Sequence, residues 1–188
     1  MNKKYLLLLT AISTFTLAAR ADIIPTLDSV TGSSPNFTWN YSANVTVDQT
    51  VNTGDFFTIY DFGSIATGSN TQPTGWTFSQ ALVGPTAALT SPTDNPNILN
   101  LTWTYNGTTP ITGSAALGIF SVITSTDQLK DGQFTAQATR NSGPNAGTKV
   151  SNIGNVAVPV PESSSLLPIL GVCVAAALSS RLLRRQHA

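Results

Sequence analysis

From Asn36 to Asp48 the chain alternates without a break: Phe37, Trp39, Tyr41, Ala43, Val45 and Val47 are apolar or aromatic, and every residue between them is polar. Side chains of an extended chain point to opposite faces in turn, so this phase predicts a half-buried strand. The pattern returns at Leu99, Leu101, Trp103 and Tyr105, with Asn100, Thr102 and Thr104 between, and more briefly at Trp76 and Phe78 and at Phe134, Ala136 and Ala138. Two denser runs, Asp55–Phe62 (DFFTIYDF) and Ala115–Ile123 (AALGIFSVI), predict strands in the middle of a sheet covered on both faces. Val150–Val158 predicts a last strand.

Turn chemistry separates these runs at Thr53-Gly54, Gly68-Ser69-Asn70, Pro73-Thr74-Gly75, Pro92 to Pro96, Asn106-Gly107, Asp131-Gly132 and Gly143 to Gly147. Asn106-Gly107, directly after a clean strand, is the strongest hairpin signal. No helical run is long enough for a crossover connection. The expectation is an all-β antiparallel β-sandwich of about seven to ten strands, with jelly-roll and immunoglobulin-like topologies both open.

The ends follow another pattern. Lys3 and Lys4 precede the apolar run Tyr5–Leu17, and Ala19-Arg20-Ala21 has small residues at both positions that a signal peptidase reads. This predicts an N-terminal signal helix cut after Ala21. Near the other end, Leu166–Leu178 is uncharged and apolar, and Arg181, Arg184 and Arg185 follow. Residues 166–183 span about 27 Å as a helix, enough to cross a hydrocarbon core of about 30 Å if Arg181 snorkels. Arginines beyond the span act as a stop-transfer signal that keeps the tail in the cytosol. The expected organisation is therefore residues 1–21 signal peptide, 22–158 ectodomain, 159–165 linker, 166–183 transmembrane helix and 184–188 basic tail.

Composition sharpens this division. Residues 22–158 hold eight Asp and no Glu against Lys130, Arg140 and Lys149, a net charge of −5. A nucleic-acid partner is excluded, since it needs clustered Lys and Arg. The same 137 residues contain 24 Thr, 13 Ser and 13 Asn, a bias toward strands and turns, while 13 aromatics argue against a disordered polar tract.

Val158-Pro159-Val160-Pro161-Glu162-Ser163-Ser164-Ser165, then the short apolar span, then the Arg cluster at the C-terminus resemble the PEP-CTERM sorting signal of exported bacterial proteins. The motif residues are Val160, Pro161, Glu162 and Ser163, with Ser163 where that family usually has a second Pro. The resemblance implies export through the inner membrane, transient anchorage, and processing by signal peptidase and an exosortase-type enzyme. It also implies a final place at the cell surface or outside it, in the company of exopolysaccharide or biofilm. A glycolipid-anchor signal would end in apolar residues instead of arginines, and no LPxTG motif precedes the span. N-x-T-W-x-Y occurs at Asn36 and again at Asn100, and two similar strands meeting across a sandwich core account for it more simply than duplication. With Gly54–Gly63, Gly75–Pro85 and Leu101–Gly107 these segments resemble PEP-CTERM proteins whose outer domain has no assigned activity.

Catalytic groups are scarce. The one His, His187, lies in the basic tail, and the one Cys, Cys173, lies within the span, so Ser-His-Asp and Cys-His mechanisms and His- or Cys-ligated metal centres have no residues in the ectodomain. No catalytic residue, metal or cofactor is assigned. An aspartate pair could serve a glycoside hydrolase, but Asp55 and Asp61 on one strand would stand about 20 Å apart, too far to act together, and strand-end solvation suits each. Asp127 to Gly132 fails the EF-hand spacing and reads as an ordinary turn. Five N-x-S/T sequons, at Asn36, Asn40, Asn44, Asn100 and Asn106, follow from composition. The expectation is a noncatalytic surface or matrix protein. The alternatives are a glycan-binding module stacking sugars on Trp39, Trp76 or Trp103, for which core packing is the plainer role, and an Asp-dependent hydrolase.

Overall fold

A computed structural model describes residues 23–161. These form ten strands: β1 (Ile23–Ser33), β2 (Asn36–Val45), β3 (Gln49–Val51), β4 (Phe56–Ile59), β5 (Trp76–Ala81), β6 (Asn100–Tyr105), β7 (Ile111–Thr112), β8 (Ala115–Thr124), β9 (Leu129–Arg140) and β10 (Lys149–Pro159). All pairings are antiparallel. The smaller sheet has the order β1-β2-β8 and the larger runs β5-β6-β4-β9, with β10 on the far side of β9. Strands β3 and β4 both pair with β9, so they act as one interrupted strand, and β7 pairs with β3 beyond β6.

The alternation in the sequence becomes the inner faces of the two sheets. Trp39, Tyr41, Ala43 and Val45 of β2 and Phe120 and Val122 of β8 meet Phe57, Ile59, Leu101, Trp103, Phe134 and Ala136 of the larger sheet. Phe120 is the central ring, 5.0 Å from Phe57, 5.1 Å from Trp76 and 5.7 Å from Trp103, all edge-on. Edge-to-face aromatic pairs each add about 0.5–1.5 kcal/mol beyond the area they bury. The two N-x-T-W-x-Y segments are β2 and β6, on the inner faces of opposite sheets.

Several local expectations change. Asn106-Gly107 does not close a hairpin: β6 pairs with β4 and β5, and both residues donate their N–H groups to Gly75 O at 2.7 and 3.0 Å. Asp131-Gly132 lies inside β9, opposite Ala157 and Val156, and is not a turn. A Cβ at residue 132 would come within 2.7 Å of Val158, so glycine there answers to close packing. The run at 115–123 is an edge strand with Ile119 exposed, and its free side is lined by residues 66–71, through Ala66 N–H to Ile123 O and the Thr71–Ser121 bridge. At the C-terminal boundary, pairing of β10 continues through Pro159, one residue into the expected linker.

Candidate functional site

The outer face of the larger sheet carries the least ordinary chemistry of the domain. In strand register Thr102, Thr58 and Thr135 stand side by side, and all three are buried although they point away from the core. The cover is the segment 82–99, which crosses this face. Pro85 O accepts the Thr58 hydroxyl at 2.8 Å and the Tyr60 hydroxyl lies 3.0 Å from the same oxygen, while Ala87 N–H reaches Thr135 Oγ1 at 3.3 Å. Further along, Asn100 Nδ2 donates to Leu82 O and Asp94 Oδ1, Asn95 N–H donates to Asp61 Oδ1, and Thr93 N–H donates to Gln133 Oε1. A buried hydroxyl or amide without a partner is costly, and these contacts supply the partners from a loop with little regular structure.

Asp55 sits where β3 breaks before β4, and it is completely buried. Its Oδ1 accepts from Lys149 Nζ at 2.6 Å and from Gln137 Nε2 at 3.4 Å, and its Oδ2 accepts from Asn52 N–H at 2.8 Å and Thr139 Oγ1 at 3.0 Å. Lys149 Nζ also donates to Thr139 Oγ1 at 2.9 Å. Solvation at a strand end, the role expected for Asp55, is therefore corrected: the carboxylate is internal because the strand break folds over it. The cluster ties β4, β9 and β10 together, and every acceptor position of the carboxylate is used for structure.

Beside the covered zone lies an uncovered strip. Thr77, Thr104, Phe56, Gln137 and Ser151 form one cross-strand row, with Thr77 exposed and the others half-buried. It presents one aromatic ring between hydroxyl and amide groups. A cleft of about 320 Å³ is lined by Asp61, Thr93, Lys130, Asp131, Gln133 and Asn155, so the fold brings Asp61, in the loop after β4, near Asp131 of β9. Asp61 already holds the Asn95 backbone, and Lys130 stands among the same lining groups. Among the described residues no group of three or more His, Cys, Asp or Glu gathers as a metal site.

A second cleft, about 450 Å³, opens where the chain leaves the domain, lined by Phe62, Leu82, Ile98, Leu99, Pro159 and Pro161 among others. Val160 N–H donates to Gln128 O at 2.9 Å, which keeps the chain against the domain up to the Pro-Glu motif.

Trp39 and Trp103 are fully buried and Trp76 nearly so, which corrects their proposed use as stacking platforms. Each lies on the inward phase of its strand, and Trp39 Nε1 donates to Thr126 O at 3.0 Å. Of the sorting-motif residues, Val160 and Pro161 are at the exit cleft; Glu162 and Ser163 lie outside the described residues, as do Ala19, Ala21, Arg181, Arg184, Arg185, Cys173 and His187. Phe56 escaped the sequence reading because Phe57 follows it directly, so the pair reads as one apolar run in which nothing local tells the outward ring from the inward one.

What the fold and these surfaces define is an all-β protein of two packed antiparallel sheets with an internally satisfied polar outer layer. The chain matches no protein-family model and no curated protein.

Proposed function

We propose that the chain is an exported, noncatalytic cell-surface or extracellular-matrix protein, sorted by its PEP-CTERM-like C-terminus and associated with exopolysaccharide. The observation that carries this reading is where the described strands lie in the sequence. Within the described residues 23–161 the ten strands run from Ile23 to Pro159, between the expected cleavage site at Ala21 and Pro161 of the sorting motif. The sandwich thus fills the stretch between two apolar termini, each with its own basic group. The test is an intact-mass measurement of protein extracted from the cell surface. The expected species begins at Asp22 and ends between Pro161 and Ser163. An intact Arg184-Arg185 tail on every mature copy would remove the sorting reading.

The same proposal includes an immunoglobulin-like topology in preference to a jelly roll. Supporting it, β1-β2-β8 takes the order of strands A, B and E, and the joined β3 and β4 with β9 and β10 takes that of C, F and G. Strands β6 and β5 then extend the second sheet.

A glycan-binding module is the second reading, and the Phe56 strip favours it, since sugars pair an apolar face with hydroxyls and meet both features there. Retention on a polysaccharide gel, lost in Phe56→Ala with the urea-unfolding midpoint unchanged, would support it. Polysaccharide turnover abolished by Asp61→Asn or Asp131→Asn would instead revive the hydrolase.

A further inference from the structure

The strand register places the chain exit and a group of exposed aliphatic side chains at one end of the sandwich. Pro159 pairs with Leu129, and Pro161 shares a cleft with Leu82. Leu82 is 47% exposed, its chain neighbour Val83 72% and Leu129 57%, so three of the seven large hydrophobic side chains exposed among the described residues gather around the exit. Single exposed aliphatics are ordinary, but a group at the point of departure toward an apolar segment is not.

We propose that this end, formed by Leu82, Val83, Leu129 and the 159–161 segment, rests on a zwitterionic lipid surface while the chain is anchored. The inference builds on the reading of residues 166–183 as a membrane span. Only four residues separate Pro161 from Leu166, and five extended steps reach at most about 18 Å. The polar layer of one leaflet is itself roughly 5–8 Å deep, so the exit end stays within about 13 Å of the lipid headgroups. A tether this short holds the patch at high effective concentration beside the bilayer, and most of the entropic cost of association is already met by the anchor. Other proteins meet the patch only after diffusing to it.

Charge selects the lipid. Asp127 and Asp131 flank Leu129 on either side in sequence and Lys130 is the one base among them, so the rim of the patch carries a net negative charge. Anionic headgroups repel such a rim within a Debye length, whereas phosphatidylcholine does not. The docked arrangement holds Pro161 at the boundary between lipid and water, within reach of an enzyme embedded in the same membrane.

The test uses the full chain with Cys173→Ala, reconstituted in phosphatidylcholine vesicles, with an environment-sensitive fluorophore at Val83→Cys or at Asn145→Cys. Residue 145 lies in the β9–β10 connection, at the opposite end of those strands. The expected result is a blue-shifted label at 83, quenched by nitroxide-bearing lipid and shielded several-fold from aqueous iodide relative to 145. Leu82→Ser with Leu129→Ser should remove the shielding with the circular dichroism spectrum unchanged. Equal iodide access at 83 and 145, in a chain that resists alkaline carbonate extraction, would overturn the docking and leave the anchor intact. Extraction of the chain by carbonate would overturn the anchor and the docking together. Replacing half the lipid with phosphatidylglycerol should weaken the shielding, and stronger shielding would refute the assigned role of the acidic rim.

Discussion

Removing the Asp55 carboxylate should be among the most damaging polar substitutions in the domain, because its donors cannot all find water. In Asp55→Ala the Asn52 N–H and the Thr139 hydroxyl lose acceptors at 2.8 and 3.0 Å inside the fold. Each unsatisfied buried donor costs about 1–3 kcal/mol. Lys149 contributes less, since its side chain is 45% exposed and its ammonium can turn to solvent. The expected loss is about 3–4 kcal/mol for Asp55→Ala and about 1–2 kcal/mol for Lys149→Ala, where the carboxylate keeps its hydrogen bonds from Asn52, Thr139 and Gln137 and water replaces the amine. The double variant should be nearly as stable as Asp55→Ala alone, since Lys149 has lost the charge it served. Equilibrium urea unfolding of residues 22–161 would read this. A single domain of this size unfolds in one transition with a slope of roughly 1.5–2 kcal/mol per molar urea, so the midpoint of Asp55→Ala should fall by about 2 M. A loss under about 1 kcal/mol, or a larger loss for Lys149→Ala than for Asp55→Ala, would refute the claim that the cluster holds the strand break together.

Two further predictions concern the interior. Burial pushes the Tyr41 phenol far above its ordinary value, and its hydroxyl donates to Ala157 O at 2.8 Å. The folded state keeps this proton while the unfolded chain loses it above about pH 10, so this contribution is complete below pH 10 and declines above it by up to about 1.4 kcal/mol per pH unit. Tyr41→Phe should cost about 1 kcal/mol at pH 7 and show a shallower alkaline decline in urea titrations; an unchanged slope would refute it. Gly118→Ala should lower stability by about 2–3 kcal/mol, because φ is +107° and the new Cβ would lie 2.5 Å from Pro73 Cγ. A melting temperature within 2 °C of the parent, on the order of 0.5 kcal/mol for a domain this size, would count against that packing.

The parts of this fold that could be read from sequence are those where one face is apolar and the other wet. Strand β2 has that arrangement through most of its length, and β6 keeps the same alternation although its polar phase, Asn100 and Thr102, is buried under segment 82–99. Strand β1 was missed: its eleven residues include Pro25, and apart from Ile23 and Pro25 its side chains are only half-buried or exposed, so no clean phase runs along it. Asn106-Gly107 and Asp131-Gly132 misled for a related reason. Their turn propensity is local, while the deciding contacts, Gly75 with the first and Val158 with the second, come from distant chain. Asp55 is the clearest case at the candidate site. Its hydroxyl and amine partners lie 84 and 94 residues away, and a carboxylate before an apolar run looks the same whether it ends in solvent or under a fold of the chain. The exposed aliphatics at the exit were equally silent, since Leu82, Val83 and Leu129 belong to no periodic segment.

The low charge of the domain gives these details a common physical setting. A net charge of −5 spread over 137 residues provides weak mutual repulsion between copies, so resistance to association has to come largely from the surface itself. Exposed strand edges are the hazard, because each offers a row of unpaired backbone groups to another chain. The free side of β8 is occupied by residues 66–71, β1 carries Pro25 and β10 ends on Pro159. The face of the larger sheet is treated in a similar way: segment 82–99 meets Thr58 and Thr135 with a backbone carbonyl and a backbone N–H, and a register shift in the loop would leave those groups without partners. Hydroxyl-rich strands therefore serve two purposes, solvation where the sheet is open and a specific seal where it is covered. A Thr- and Asn-rich composition with few charges can in this way build a defined domain without relying on ionic repulsion to keep its copies apart.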